Sequence, residues 1–454
     1  MADKKDYNPY DNRVVEAPIT NTGAFVSLLK GVIGTGILAL PMAFAYTGWM
    51  CGAILLTLTT IMLIHGITLL IMCMVESARR QQQGYCNFSD TMVFAFNEGP
   101  KWCKYLAKAT GYLVDGVLSL SHYGICVVYL VFVAVNMKQL LEHYVQAMDL
   151  RIYIAIVGLC SIPFFLVRHL KYLVPFNMVA NIAMYLGFFL IFYYLFQDLP
   201  PLSDRPMFNE PSKYPLFFGI VLFSVSSVGV MLAVESEMSH PEQYIGWFGV
   251  LNLSAVVVVI SYLFFSIMAY WRYGPHVHGS VTLDLPTDEV ISQLSKAFIS
   301  LALFLSFPLS GYVTIDIVFN HYMNHGNRLR NPHFVEYIVR VFFVVLSTVN
   351  AVAFPNLGPL VAFVGALTIS LLNLVFPACI DLCLNYHEPY TYGKLRWKLV
   401  KNILLIIIGV VILGYCCTLS VLDMIEEYGG SGRKTSSLEK LPLGVLTDID
   451  MTSN

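Results

Sequence analysis

Uncharged, apolar stretches long enough to cross a lipid bilayer recur along the whole chain. A spanning helix needs about 20 such residues. Hydrophobic runs and their breaks give eleven spans, at about 24–47, 51–75, 110–136, 151–167, 173–196, 214–236, 245–270, 290–320, 334–354, 358–383 and 398–422. Eleven helices use roughly half of the chain, and the rest suits short loops and two tails. Composition agrees: 12% of the 454 residues are charged and 57% are hydrophobic, whereas ordinary soluble domains carry about a quarter charged residues. That excludes a soluble enzyme, a disordered chain and a nucleic-acid binder, and the net charge of −2 points to no polyanionic partner. The expected fold class is an all-α polytopic membrane protein, with the lipid bilayer as its solvent.

Residues 1–22 are polar and lack the basic-then-apolar order of a cleaved leader. They read as a cytosolic tail. Residues 23–425 read as a single transmembrane domain, and 426–454 as a Gly/Ser-rich tail on the extracellular or luminal side. Alternate loops carry Arg79, Arg80, Lys101, Lys104 and Lys108; Arg168 and Lys171; Arg328 and Arg330; and Lys394, Arg396, Lys398 and Lys401. The positive-inside rule puts these in the cytosol. The opposite loops hold Asp198, Asp204, Glu210, Asp284, Asp288 and Glu289. The loop after span six has Glu235, Glu237 and Glu242 without a basic residue, and acidic residues count little in the rule. The ten cysteines lie in apolar segments or inner loops, so neither a structural disulfide nor a disulfide-linked partner is expected.

Span one reads SLLKGVIGTGILALPMAF, with Gly31, Gly34 and Gly36 within six residues and then Pro41. Span six repeats the feature, with Ser224, Ser226, Ser227 and Gly229 at its middle. Helix breaks at membrane depth persist only where protein or a wet cavity satisfies the freed backbone. Spans one and six are the corresponding first helices of two five-helix halves, and such matched interruptions point to a midplane binding site. Half-helix N-termini suit a carboxylate, and the freed carbonyls suit an ammonium group. Small residues that merely allow close helix packing are the competing explanation. Gly34-x-Gly36-x-x-Ala39 also fits a dinucleotide fingerprint, but no strand precedes it, so it is set aside. Candidate substrate-binding residues are Gly31, Ile33, Gly34, Thr35, Gly36, Tyr123, Phe223, Ser224, Ser226, Ser227 and Gly229, with Tyr129 and Tyr312 as further pocket walls.

These residues resemble a known family. KGVIGTGILALPMAF at 30–44, YGICVVYLVFVAVNMKQL at 123–140, YPLFFGIVLFS at 214–224, the stretch Glu235–Met238 and HGSVTLDLP at 278–286 are similar to the proton-coupled amino-acid transporter family of the auxin/amino-acid permease superfamily. The resemblance is collinear from about residue 20 to 425. It implies an eleven-helix, LeuT-like 5+5 inverted-repeat fold with broken helices 1 and 6. It also implies uptake of small neutral amino acids such as glycine, alanine and proline together with a proton. Two positions depart from the family pattern. Ser27 stands where the family often has His, and Ser226-Ser227 where it often has Glu-Gly. The outer-loop cysteines of vertebrate members are also absent.

Charges at membrane depth cost roughly 2.5–3.5 kcal/mol each on insertion scales, so each has a candidate role. Lys30 precedes the first break. Asp115 and His122, seven residues apart, share one face of span three and form a candidate proton relay. Asp316 is a candidate partner of Lys30 or an inner-gate charge, Glu235 a candidate gating residue, and Ser306 with Ser310 a candidate coupling site. A structural role competes for each, as it does for His65. No metal-binding motif or nucleophile elbow occurs, so no enzyme activity, metal or cofactor is expected. The leading expectation is a proton symporter of small neutral amino acids working by alternating access, in the plasma membrane or a lysosomal or endosomal membrane. A proton-independent uniporter or exchanger, and an amino-acid sensor with little net flux, are the alternatives.

Overall fold

The computed structural model describes residues 7–15, 18–142, 144, 146, 148–168, 170–197, 199–225, 227–323, 331–387 and 396–429. Ser226, Asp198, Arg328, Arg330, Lys394 and the tail from residue 430 lie outside the described residues.

Thr20 starts the first helix, its hydroxyl accepting from the Gly23 amide. Helix α1 (Asn21–Val32) stops at Ile33-Gly34-Thr35, and α2 (Gly36–Thr47) leaves at an angle of 57°. Gly48, at φ 88°, then turns the chain into α3 (Trp49–Gln81). That positive φ suits glycine, and a Cβ there would also lie 2.5 Å from the Met207 carbonyl oxygen. The inner loop expected after span two is itself helical in part. The Asn87 side chain accepts from the Asp90 amide and starts α4 (Phe88–Glu98), which packs along α5 (Lys101–Leu141).

The remaining helices are α6 (Leu150–Phe165), α7 (Leu170–Leu195), α8 (Tyr214–Val225), α9 (Val228–Glu237), α10 (Val250–Tyr273), α11 (Val290–Ile315), α12 (Pro332–Ala353), α13 (Leu357–Val364), α14 (Phe376–Leu384) and α15 (Trp397–Gly429). Among the described residues nine helical stretches are long and apolar enough to cross a membrane, the bent α1–α2 pair adds a tenth, and α6 is a shorter apolar helix. In span eight, Pro308 and Gly311 are residue types that suggest a kink or local break. Helix α11 runs unbroken through Pro308 and continues as a π-helix over Asp316–Met323. Gly311 instead permits close packing, since a Cβ there would meet the Phe165 ring at 2.4 Å. A second π-helical stretch, Gly365–Val375, joins α13 to α14.

Two groups of helices form. Helix α2 packs on α8 and α10, and α3 on α10; α5 and α7 pack on α11, and α6 on α12. The second group is clamped by charge. Buried Arg340 on α12 pairs with Glu336 at 2.9 Å and donates to the carbonyls of Phe165 and Val167 at the end of α6. Arg168 closes the network on Glu336 at 2.7 Å. Phe165 stacks on Phe343 with ring centroids 5.0 Å apart, under the Arg340 guanidinium. Arg340 thus satisfies carbonyls that the end of α6 would leave without partners. All ten cysteines are free thiols.

Candidate functional site

The two breaks meet. A Cβ on Gly36 would lie 2.4 Å from Ser224 Cα, so the start of α2 rests directly on the end of α8. The Ser224 hydroxyl sits 2.8 Å from the Gly36 carbonyl and 2.7 Å from that of Ile220. On the N-terminal side of the break Gly31 has the same role, with Val230 Cγ1 at 2.4 Å from its missing Cβ, which brings α1 against α9. Gly34 is different. Nothing lies within 4 Å of the position its Cβ would take. Its φ is not among the positive ones, so this glycine supplies room rather than an unusual backbone. The three glycines therefore divide into two that close contacts and one that leaves a space beside exposed backbone. The Leu38 amide bonds the Thr35 carbonyl at 3.1 Å, and the amides of Gly36 and Ile37 before it stand at the positive end of the α2 dipole.

A tyrosine ties the breaks together. The Tyr262 hydroxyl, buried on α10, lies 2.7 Å from the Val32 carbonyl and 2.9 Å from the Ser224 carbonyl. Tyr262 was not visible as a site residue in the sequence, because one tyrosine among 27 in an apolar span gives no signal. From α5, the Tyr129 hydroxyl comes close to Thr35 in the first break and to Ser310 on α11.

The other candidates separate. Phe223 lies against the tight α8 crossing at Gly365, whose missing Cβ would come within 2.7 Å of the Phe223 amide nitrogen. Ser227 precedes α9 and its carbonyl accepts from the Met231 amide. Ile33 ends α1, its amide bonded to the Leu29 carbonyl. His122 reaches the second break, with its ring 3.2 Å from the position of a Gly229 Cβ, while its Nδ1 lies 3.0 Å from the Leu118 carbonyl. Asp115, two turns away, accepts from Ser89 at 3.2 Å and from Tyr322. The two are thus not hydrogen-bonded to each other. Tyr123 turns to α12, where Asn350 donates to its hydroxyl. The Ser306 hydroxyl bonds the carbonyl of Ala302 on its own helix at 2.8 Å. Lys30 is exposed and has no ion-pair partner among the described residues, so the pair with Asp316 is not formed.

Glu235 is the opposite case. As an acidic residue at the end of a span it reads in sequence as a solvated helix end, yet it is 1% exposed and holds Arg13 at 2.9 Å. Arg13 also donates to the Glu235 and Gly84 carbonyls and lies over the rings of Tyr10 and Tyr85. Burial pushes both phenols up to about 12, with the Glu235 carboxylate adding to the shift. Further along, the Ile19 amide donates to the Glu237 carbonyl and the Ser239 amide to the Ile19 carbonyl, each at 2.9 Å. The segment before α1 is therefore a strap across the C-terminal end of α9. Breaking a buried pair strands a charge. Glu235→Ala should accordingly free the strap and raise the rate of tryptic cleavage after Arg13 at least about tenfold, equivalent to 1.4 kcal/mol of opening. An unchanged rate would show that the backbone bonds at Ile19 hold the strap alone.

A protein-family model for transmembrane amino acid transporter proteins matches residues 17–422. The chain belongs to that family. The match takes in both breaks and every candidate site residue named above. The chain is 33% identical over 427 residues to a proton-coupled amino acid transporter-like protein, pathetic, of Drosophila melanogaster, covering 94% of this chain and 90% of that one. It is 25% identical over 407 residues to vacuolar amino acid transporter 3 of Saccharomyces cerevisiae, covering 86% of this chain and 55% of the yeast protein. The transporter is not an enzyme, and its helices make it a multi-pass membrane protein.

Proposed function

We propose that this amino acid transporter moves small neutral amino acids together with a proton, by alternating access. The observation that carries the reading is the open space at Gly34, two residues before Gly36 meets Ser224 of α8. A substrate carboxylate there meets the free amides of α2, and its ammonium meets carbonyls released by the breaks. No fixed charge is needed for a zwitterion. The small residues at the breaks, Gly34, Thr35 and Ser224, favour a small substrate side chain.

In this reading the fold is an eleven-span, LeuT-like 5+5 inverted repeat. Counting the bent pair as one span and α6 as another supports that number, and each packed group draws corresponding spans from both halves, one and two with six and seven, three and four with eight and nine, which supports the repeat. The transporter domain covers 23–425, the N-terminus is cytosolic, and the C-terminal tail is extracellular or luminal. His122, which touches the second break, passes a proton toward Asp115 at the inner end of span three. The Arg13–Glu235 pair is an inner latch released as the path opens inward. The relative named for proton coupling supports symport, and the vacuolar relative supports an intracellular membrane of lysosomal or endosomal type.

The test is uptake by purified protein in liposomes, with labelled glycine, alanine, proline, leucine and tryptophan. Each is run with and without an inward proton gradient and with a proton ionophore. Concentrative uptake of the small substrates that collapses with the ionophore is expected. Uptake that only equilibrates would replace symport by facilitated exchange, the reading that Ser27 favours, and binding without uptake would indicate a sensor.

A further inference from the structure

One face of α5 carries Lys108, Gly111, Tyr112 and Asp115, the i, i+3, i+4, i+7 positions of a single helical stripe. Helix α4 closes on this face at Gly111, where a Cβ would meet Val93 at 2.6 Å. The π-helix after α11 brings Tyr322 beside Tyr112, with ring centroids 5.5 Å apart, and His321 next to it. Between these elements is a cleft of about 460 Å³, open to solvent and lined by Ser89, Lys108, Tyr112, His321 and Tyr322 among others.

The charges around it are of both signs. Lys108 is exposed and has no ion-pair partner among the described residues. Asp115, behind the lining, takes both hydroxyl bonds on Oδ2 and leaves Oδ1 without a partner among the described residues. His321 Nε2 lies 4.0 Å from Asp115 Oδ2, and Asp90 faces Tyr322 from α4. A phosphate or other anion held by Lys108 would have the negative charges of Asp115 and Asp90 nearby. A simple cation would meet Lys108. A zwitterion satisfies both.

We infer that this cleft is a second amino-acid site, distinct from the one at the breaks. Lys108 takes the carboxylate of a neutral amino acid, Asp115 its ammonium group, and the Tyr112–Tyr322 pair covers its side chain. Two helical turns, about 10.5 Å, separate Asp115 from His122 and the second break. The inference rests on the amino-acid substrate class, and, with this end in the cytosol, the site is filled by the released product.

Thermal unfolding of the purified full chain in detergent tests it, titrating glycine, alanine, proline and leucine separately up to high millimolar concentration. A ligand that binds the folded state raises the midpoint in proportion to ln(1 + [L]/Kd). Gly34→Leu fills the space at the break, so it abolishes uptake in liposomes, which tests the central site separately. The second site predicts that Gly34→Leu keeps a residual midpoint shift with at least one of the four. Adding Lys108→Ala should then weaken that shift at least about tenfold in half-saturating concentration, the equivalent of losing one charge-assisted bond. Methylamine and acetate, each carrying one of the two charges, should not reproduce it. No residual shift in Gly34→Leu with any of the four overturns the inference, as does a residual shift that Lys108→Ala leaves unchanged. Lys401→Ala, at another inner-loop lysine, should leave the shift intact; an equal loss there would reduce the effect to general surface charge and overturn the site.

Discussion

Gly36→Ala should abolish transport and destabilise the protein, while Gly34→Ala, two residues away, should fold normally. The Gly36 Cβ would stand 2.4 Å from Ser224 Cα and 2.8 Å from its Cβ. The obstacle is main chain in a helix, not the end of a flexible side chain. Overpacking of this kind costs about 1–3 kcal/mol, and here the strain falls on the joint between the two broken spans. The Ser224 hydroxyl and the Tyr262 bridge depend on that joint. At Gly34 an added methyl meets nothing. It occupies space proposed for the substrate, so its effect belongs to affinity: a rise in KM of about tenfold for alanine and more for proline, with unchanged thermal stability. Uptake kinetics together with unfolding midpoints separate the two. Normal transport by Gly36→Ala, or equal loss of stability in both variants, would mean that the breaks are not joined as described.

The second large effect is structural. Arg340→Met should lower stability by about 3–5 kcal/mol, the usual cost of removing one member of a buried ion network. Arg340 is 2% exposed and serves Glu336, the carbonyls of Phe165 and Val167, and the ring of Phe165. Methionine fills the volume and answers none of these groups. Glu336 keeps Arg168, so the loss comes chiefly from the stranded carbonyls at the end of α6. Arg168→Met, removing the more exposed member, should cost far less. Unfolding midpoints of the two variants in the same detergent provide the measurement, and equal losses would locate the stabilisation in Glu336 instead.

Several features were legible in the residues because they follow from local composition. Apolar runs of bilayer length have no other fate in water, so the class of the protein was fixed by them. The first break was equally plain: three glycines in six residues cannot sustain a helix, and the chain bends there by 57°. The Ser-Gly cluster in span six marked a second interruption at the corresponding place. Other features depended on partners far apart in sequence. Gly31, Gly34 and Gly36 look alike in one dimension, and only the positions of Val230 and Ser224 separate packing glycines from the open one. Glu235 resembled a solvated helix end until Arg13, 222 residues away, was found to cover it. Arg340 and Glu336 carried a readable signal, a charged i, i+4 pair inside an apolar span, but the carbonyls they serve belong to another helix. Asp115 and His122 lie on one helix as their spacing required, yet α4, α9 and the π-helix give them different neighbours. The sequence by itself determined that this chain spans a membrane and where its helices break, because hydrophobicity and backbone propensity are properties of short segments. Which broken ends touch, which charges are covered and where space remains were decided by the tertiary structure alone, because contact, burial and vacancy exist only between segments.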